Sequence, residues 1–217
     1  MNYSIFHLGK NPPENCNFHL FDIESSGFCD QFNRFLFSEK SKYIAISCDN
    51  VFSDENRFEI QSEFLDNHSN IHLVGSSIGI LNENFELKEI LEYPENSSQC
   101  YKEFYHYKNE FVFDYSVMFN RQAAINSGGL NDFINNSDER LTNAYLLSLW
   151  CRILLRHKIS NINMPLVRCS PVFLQESNRY FFEKNFIWGM FKRKSFKKIP
   201  LKQLVSNISF FDLFSQE

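Results

Sequence analysis

Short apolar runs alternate along the chain with segments whose apolar residues recur every three or four positions, a pattern typical of α/β proteins. The best strand candidate is residues 43–47, an apolar run of the kind that is buried in a parallel sheet. The pattern predicts strands over residues 3–8, 18–23, 43–47, 71–76, 78–81, 87–91, 115–119 and 159–167. It predicts helices over residues 28–37, 54–65, 98–107 and 141–157, with Ser53 as the N-cap of the second.

Length and composition limit the domain organisation. The 217 residues suffice for one domain with a sizeable core and a small appendage. Hydrophobic residues make up 43% and charged residues 22%, which excludes wholesale disorder. The chain has 25 Phe and only 7 Gly, so a fold with several glycine-rich phosphate loops is disfavoured. Because the sequence becomes rich in Phe and Lys from about residue 172, we expect one domain over residues 1–171 and a C-terminal helical appendage over residues 172–217.

Charge and cysteine spacing exclude further classes. The formal net charge is −4, so there is no global basic field to recruit nucleic acid, and no nucleic-acid partner is expected. The six cysteines are scattered singly, without the paired spacing of a zinc site or a small disulfide scaffold. The first residues lack the pattern of a secretory signal, and no stretch of 18 apolar residues occurs. We therefore expect a cytoplasmic protein with free thiols.

One carboxylate stands at a position where α/β proteins bind ligands. Asp49 directly follows the strand predicted over residues 43–47, and ligands of open α/β sheets lie beyond the carboxyl ends of the strands. A carboxylate there can hold Mg²⁺ or Mn²⁺, which would neutralise a nucleotide diphosphate. The alternative is a turn-forming or helix-capping Asp, which is common after a strand.

Several short motifs follow one another in a fixed order between residues 25 and 167. They are Cys48-Asp49-Asn50 at the end of a strand, Arg57 and Gln61 on the next helix, His72-Leu73-Val74-Gly75-Ser76, Ser116-Val117-Met118-Phe119-Asn120-Arg121, Gly128-Gly129-Leu130 and Leu149-Trp150-Cys151-Arg152. In order and approximate spacing they resemble the family 2 glycosyltransferases of GT-A fold. The matching family features are a DxD strand, an R-x-x-x-Q-like helix, and segments similar to "LVGS", "SVMFRR", "GGY" and "LWLR".

The resemblance implies a GT-A-like fold, in which a mixed, mostly parallel sheet is flanked by helices. It implies a bacterial-type hexosyltransferase that moves a sugar, with inversion, from a nucleotide-sugar donor to a glycan acceptor of a surface polysaccharide or lipid-linked chain. It also implies Mg²⁺ or Mn²⁺ at Asp49 and nucleotide-sugar binding by Asp22, Asn33, Asp49 and Asn50. Asp22 is equally compatible with a turn residue at the end of its strand.

The chain departs from the family pattern at its carboxylates. A DxD motif would place carboxylates at Ser47 and Asp49, with a frequent third at Asn50, and only Asp49 is acidic. A single carboxylate would have to hold the metal with help from diphosphate oxygens and water. The amino-terminal, nucleotide-binding half is also shorter than in the family. These departures favour an alternative function, a catalytically inactive relative that serves as a binding or assembly subunit.

The catalytic base of the family lies just before the "LW" segment. The corresponding positions here are Tyr145-Leu146, which carry no carboxylate. The nearest acidic pair is Asp138-Glu139, and each of the two is a candidate for the base. The alternative is that both are acidic residues favoured at the start of a helix by its dipole.

The C-terminal appendage combines bulky aromatic residues with basic charge. Phe181, Phe182, Phe186, Trp188 and Phe191 precede the basic run over residues 192–198. This combination suits a helix at an anionic membrane surface, on the inner face of the membrane. A helix that packs on the sheet domain, or on a partner subunit through residues 173–214, is the alternative.

Overall fold

The computed structural model describes residues 2–9, 18–21, 27–106, 111–130 and 142–173. The strands are β1 (Tyr3–Leu8), β2 (Phe18–Phe21), β3 (Tyr43–Cys48), β4 (Val51–Ser53), β5 (Ile71–Leu81), β6 (Leu87–Leu91), β7 (Met118–Asn120) and β8 (Lys158–Cys169). The α-helices are α1 (Phe28–Ser38), α2 (Arg57–Asn67), α3 (Ser97–His106), α4 (Arg121–Asn126) and α5 (Thr142–Leu154), and a 3₁₀ turn covers Asp114–Ser116.

The described strands form one sheet in the order β2-β1-β3-β7-β5-β8-β4, with β6 paired to β5. Strands β2, β1 and β3 are mutually parallel, and β5 is parallel to β8. Strand β7 is antiparallel to both β3 and β5, so β5 runs in the same direction as β3. Five of the eight described strands therefore share one direction. This mixed, mostly parallel sheet confirms the predicted fold class.

The central strands are mostly apolar because both of their faces are buried. Successive side chains of a strand point to opposite faces, and in β3 Ile44 and Ile46 belong to one core cluster while Tyr43 and Ala45 belong to the other. The first cluster packs under α1 and α5. The second packs under α2, which contributes its Phe58 and Leu65 side chains.

Several element boundaries differ from those predicted from the sequence. Residues 71–81 form one strand, β5, instead of the two predicted strands, and the short elements β4 and α4 were not predicted. Residues 114–116 form a 3₁₀ turn instead of the start of a strand. The hydroxyl of Ser116 donates a hydrogen bond to the carbonyl of Phe113 at 2.9 Å, and such local bonds compete with a sheet ladder.

The prediction of Ser53 as the N-cap of the second helix is wrong. Helix α2 begins at Arg57, with Asn56 at its N-cap position, and no side chain caps it. The hydroxyl of Ser53 instead accepts a hydrogen bond from Arg57 Nη1 at 2.9 Å. The Ser53 hydroxyl therefore bonds to the buried guanidinium of Arg57 and not to the backbone of α2.

Two further expectations concern the cysteines and membrane-spanning helices. Cys29, Cys48, Cys100, Cys151 and Cys169 are buried free cysteines, in agreement with the prediction of free thiols. Of the helices in the described part, none has the length and hydropathy to cross a membrane. The expected C-terminal helical appendage lies, beyond residue 173, outside the described residues.

Candidate active site at the carboxyl ends of β1 and β3

The parallel strands β1 and β3 end side by side, and Asp49 follows β3 at this edge of the sheet. The backbone N–H of Asp49 donates to the carbonyl of Leu8 at 3.3 Å, so the pairing with β1 extends one residue beyond the strand. The Asp49 side chain is 26% exposed. The fold thus places this carboxylate at the sheet edge where α/β proteins bind ligands, as the sequence predicted.

His7 of β1 holds the Asp49 carboxylate. Its ring is buried, with Nε2 2.8 Å from Asp49 Oδ1 and Nδ1 2.8 Å from the hydroxyl of Ser47. His7 and Ser47 are directly paired in the β1–β3 register. Asp49 lies two positions beyond Ser47 and therefore on the same face of the sheet. The local sequence indicates no role for His7, since its two partners are 40 and 42 positions away.

Gly9 leaves the space in which the carboxylate lies. A Cβ atom at this position would be 2.3 Å from Asp49 Cγ and 2.4 Å from each carboxylate oxygen. Gly9 also has a φ of +139°, a conformation that other residues adopt at a cost. The Asp49 side chain therefore packs directly on the backbone at the end of β1.

Arg57 and Gln61 of α2 hold together the strands beneath the site. Arg57 is completely buried and donates from Nη2 to the carbonyl of Ile46 at 2.7 Å and from Nε to Gln61 Oε1 at 3.1 Å. The Gln61 amide donates in turn to the carbonyl of Ser116 at 2.7 Å. Burial lowers the pKa of Arg57 to about 9. These two residues therefore join α2 to β3 and to the 3₁₀ turn, and their role in the described structure is packing.

Asn33 and Arg152 fix the turn that precedes residues 131–140. Asn33 Nδ2 donates to the Leu130 carbonyl at 2.7 Å, and its Oδ1 accepts from the Leu130 N–H at 2.8 Å. The buried Arg152 donates to the carbonyls of Ser127 at 2.7 Å and Gly129 at 2.6 Å. Burial lowers the pKa of Arg152 to about 10. The predicted nucleotide-binding residue Asn33 thus has its amide engaged with the Gly128-Gly129-Leu130 turn.

A buried carboxylate that the sequence analysis did not single out belongs to Asp114. It is 8% exposed, and its Oδ1 accepts a hydrogen bond from Trp150 Nε1 at 2.8 Å. The 3₁₀ turn that carries it precedes β7, and the N–H of Ile46 bonds to the carbonyl of Val117 at 2.9 Å. Because β3 and β7 are antiparallel, this turn lies toward the end of β3 that bears Asp49. Nothing in the sequence near Trp150 indicates that its indole N–H bonds to Asp114.

The overall fold is shared with a solved structure. The crystal structure of S. aureus TarS residues 1–349, a glycosyltransferase, aligns with 98% of this chain and 77% of that chain, with a TM-score of 0.51 and 8% sequence identity. The fold is glycosyltransferase-like. No protein-family model matches the sequence, and no curated protein matches it. At this identity the likeness to TarS concerns the fold alone.

The other predicted site residues of this glycosyltransferase-like fold have different outcomes. Asn50 lies beside Asp49 in the turn after β3, with an exposed side chain. Asp22 of the predicted nucleotide site and the base candidates Asp138 and Glu139 lie outside the described residues. The structure therefore brings together His7, Ser47 and Asp49, with Asn50 adjacent, and leaves the assignments of nucleotide and base residues as predictions.

The donor set at Asp49 determines how a metal ion fits. Among the described residues there is no group of three or more His, Cys, Asp or Glu side chains that could hold a metal. Both ring nitrogens of His7 already bond to Ser47 and Asp49. One carboxylate at the edge of the sheet is nevertheless a donor set that Mg²⁺ accepts, when substrate phosphates and water supply its other ligands.

A depression lies at the edge of the sheet opposite to Asp49, where β5 and β8 begin. It has a volume of about 660 Å³, and its described lining includes His68, Glu95, Tyr101 and His157. Ligands of α/β sheets bind at the other edge, which in this fold is the edge that carries Asp49. We therefore take the end of β1 and β3 as the candidate active site.

Proposed function

We propose that the protein is a glycosyltransferase that moves a sugar from a nucleotide-sugar donor to a hydroxyl of a glycan acceptor, with inversion. The observation that carries this proposal is the position of Asp49: a carboxylate fixed by His7 at the carboxyl end of β3, in a glycosyltransferase-like fold. The ordered motifs of the sequence, which resemble family 2 glycosyltransferases, support the same reaction class.

Asp49 and Asn50 would bind the diphosphate end of the donor in this proposal, with Asp22 and Asn33 toward the nucleoside. Asp49 would hold Mg²⁺ or Mn²⁺ together with diphosphate oxygens, and the ion would neutralise the leaving group. His7 donates to Asp49 Oδ1 and so keeps the carboxylate at the sheet edge. The side chain of Asn50 is exposed beside it and offers an amide donor.

Asp138 or Glu139 would act as the general base in this proposal. The acceptor oxygen attacks the anomeric carbon, the bond from that carbon to the diphosphate breaks, and the acceptor proton goes to the carboxylate. Residues 131–140 follow the turn that Asn33 and Arg152 fix through hydrogen bonds.

Calorimetric titration with UDP, with and without Mn²⁺, tests the binding half of the proposal. We expect Mn²⁺-dependent binding that Asp49→Ala weakens at least about tenfold, a change typical of lost coordination. Asp66→Ala is the matched control, because Asp66 is an exposed carboxylate that bonds to Lys42 and to the Tyr43 hydroxyl, at the end of β3 opposite to Asp49. Absence of UDP binding to the wild-type protein, or equal affinity in Asp49→Ala, contradicts the proposal.

Release of UDP from a panel of UDP-sugars, with and without glycan acceptors, tests the chemical half. Asp138→Asn or Glu139→Gln is expected to slow turnover by about 10²–10⁴-fold, the usual contribution of a general base. UDP affinity should change by less than about threefold, since a base contributes to the chemical step and not to donor binding. Equal turnover in the wild-type protein and both variants would reject these two residues as the base.

A non-catalytic relative that binds or assembles is the second candidate function, and Ser47 favours it. Where the resemblance predicts the first DxD carboxylate, the chain has a buried serine that bonds to His7. This candidate predicts UDP binding, or none, without sugar transfer to any acceptor. Transfer by the wild-type protein excludes it.

The C-terminal region, residues 173–214, would bring the protein to its acceptor at a membrane surface or on a partner subunit. The argument is compositional, since bulky aromatic residues stand beside the basic run over residues 192–198. Co-sedimentation with vesicles that contain anionic lipid tests the membrane case. Neutralising Lys192, Arg193, Lys194, Lys197 and Lys198 should abolish that sedimentation; unchanged sedimentation contradicts it.

A further inference from the structure

Three side chains from two neighbouring strands form a continuous hydrogen-bonded chain beneath the candidate site. It runs from the Ser47 hydroxyl through the His7 ring to the Asp49 carboxylate, with both connecting distances at 2.8 Å. His7 is 1% exposed and Ser47 is 2% exposed, whereas the Asp49 side chain is 26% exposed. These hydrogen bonds therefore lead from the interior of the sheet outward to Asp49, the member of the three that a ligand can reach.

The protons of this chain can be assigned from its chemistry. An ionised carboxylate only accepts hydrogen bonds, so His7 Nε2 carries the proton and donates it to Asp49 Oδ1. In a neutral ring Nδ1 is then the acceptor, and the Ser47 hydroxyl donates to it. Every polar atom of the ring is used, and the serine fixes both the tautomer and the plane of the imidazole.

A serine, a histidine and an aspartate bonded in this order suggest a hydrolytic Ser-His-Asp site, but the burial of Ser47 argues against it. A nucleophilic serine must reach a substrate carbonyl. Ser47 lies within β3, between β1 and the residues leading into β7, and is 2% exposed. The accessible group of the three is the Asp49 carboxylate, so the hydrogen bonds of Ser47 and His7 support Asp49.

We propose that His7 is a positioning residue: it fixes the orientation of the Asp49 carboxylate, which would meet the donor diphosphate through Mg²⁺ or Mn²⁺. Ser47 stands where the resemblance predicts the first carboxylate of a DxD motif. In this protein the residue at that position bonds to His7 instead. Gly9 completes the arrangement, because its bare backbone lets the carboxylate lie against the end of β1. The role of His7 toward the diphosphate rests on the function proposed above.

Two substitutions separate positioning from packing, because each keeps one half of the ring's hydrogen bonding. The amide nitrogen of Gln is as many bonds from Cα as Nε2 of His, so His7→Gln retains a donor for Asp49. The amide nitrogen of Asn matches Nδ1, so His7→Asn retains a group near Ser47 and removes the hydrogen bond from residue 7 to Asp49. Both variants remove the ring, and both should lower the melting temperature to a similar extent.

The first measurement is the Kd for UDP in the presence of Mn²⁺. His7→Asn is expected to raise it by about 10-fold or more, the usual cost of removing a side chain that orients a metal ligand, and His7→Gln by less than about threefold. Ser47→Ala should have an intermediate effect, since the ring loses only the bond that fixes its tautomer. Equal effects of the Asn and Gln substitutions, or no effect of either, would overturn the positioning role.

The second measurement is a double-mutant cycle on the melting temperature with His7→Asn and Asp49→Asn. Non-additive effects of the two substitutions are expected, because the two side chains share one hydrogen bond; additive effects overturn the inference. This cycle needs no ligand. If wild-type protein fails to bind UDP, the proposed function falls, and the cycle still decides whether His7 holds Asp49.

Discussion

Asn33 on α1 and Leu130 after α4 are joined by two hydrogen bonds across 97 positions of sequence. The Asn33 amide donates to the Leu130 carbonyl at 2.7 Å, and its oxygen accepts from the Leu130 N–H at 2.8 Å. One side chain thus serves both the donor and the acceptor of a single backbone residue. The pair fixes α1 relative to the turn from which residues 131–140 continue.

Replacing Asn33 should destabilise the fold. Asn33→Ala leaves the N–H and C=O of the buried Leu130 without their partner, and we expect a loss of about 1–3 kcal/mol in the free energy of unfolding. Asn67→Ala, at an exposed asparagine at the end of α2, is the control and should change it by less than about 0.5 kcal/mol. Urea denaturation measures both variants.

The same variant separates the two roles of Asn33. If Asn33 contacts the donor, as the sequence resemblance implies, Asn33→Ala lowers UDP affinity as well as stability. If its amide only holds Leu130, UDP affinity measured well below the melting temperature stays within about threefold, the variation expected when no contact to ligand is lost. An unchanged free energy of unfolding would contradict the structural role itself.

Arg57 should not tolerate lysine. Its guanidinium donates to the Ile46 carbonyl, Gln61 Oε1 and the Ser53 hydroxyl at once, and the point charge of lysine cannot reproduce this planar arrangement. We expect Arg57→Lys to lower the free energy of unfolding by about 2–4 kcal/mol, because a charge stays buried among unsatisfied acceptors.

The matched control for Arg57 is Arg34→Lys, at an exposed arginine on α1, which should cost less than about 0.5 kcal/mol. Guanidinium chloride denaturation of the two variants gives the comparison. Equal stability of Arg57→Lys and wild type would mean that the network of α2 with β3 contributes little to the fold.

The strands of the fold could be predicted from the sequence because their burial on both faces appears in the sequence itself. Residues 43–46 are apolar since Tyr43 and Ala45 face one core and Ile44 and Ile46 the other. The position of Asp49 follows from the same strand, because the first polar residues after a buried strand lie at its exposed end. These inferences need only local sequence.

The partners within the site could not be predicted, because they are distant in sequence. Nothing near His7 indicates that its ring bonds to residues 40 and 42 positions away. Ser53 has the composition of an N-cap, but the fold brings the Arg57 guanidinium to its hydroxyl. In both cases tertiary contacts decide which of several possible partners a polar side chain takes.

A pair of histidines at the opposite edge of the sheet should make the fold sensitive to acid. The rings of His72 and His157 have centroids 4.4 Å apart. Burial lowers the pKa of His72, and burial together with the charges of His72 and Arg156 lowers the pKa of His157. Below pH 6.5 the unfolded chain therefore binds more protons than the folded protein. The free energy of unfolding then decreases as the pH is lowered, until the pH is below the lowered pKa values.

Comparing the free energy of unfolding at pH 7.5 and pH 5 measures this effect. In the double variant His72→Gln/His157→Gln the difference between the two pH values should be smaller than in the wild-type protein. His68→Gln is the control, at an exposed histidine outside the contact, and should leave the difference unchanged. The same pH difference in the wild-type protein and the double variant would exclude this pair as a source of acid sensitivity.

Gly9 and Gly27 provide a matched test of the contact between β1 and Asp49. Both have a positive φ, +139° at Gly9 and +99° at Gly27, so alanine is strained at either position. Within the described part of the chain, a Cβ at Gly27 meets no atom within 4 Å, whereas a Cβ at Gly9 overlaps the Asp49 carboxylate. Gly27→Ala should cost about 1–2 kcal/mol from backbone strain alone, and Gly9→Ala about 1–3 kcal/mol more.

The extra cost at Gly9 should depend on Asp49. In an Asp49→Gly background the carboxylate is absent, so Gly9→Ala and Gly27→Ala should have similar effects on the free energy of unfolding. In the wild-type background Gly9→Ala should also weaken UDP binding, since the displaced carboxylate leaves its bond to His7, while Gly27→Ala should not. If the penalty at Gly9 is the same with and without Asp49, the carboxylate does not lie against the end of β1.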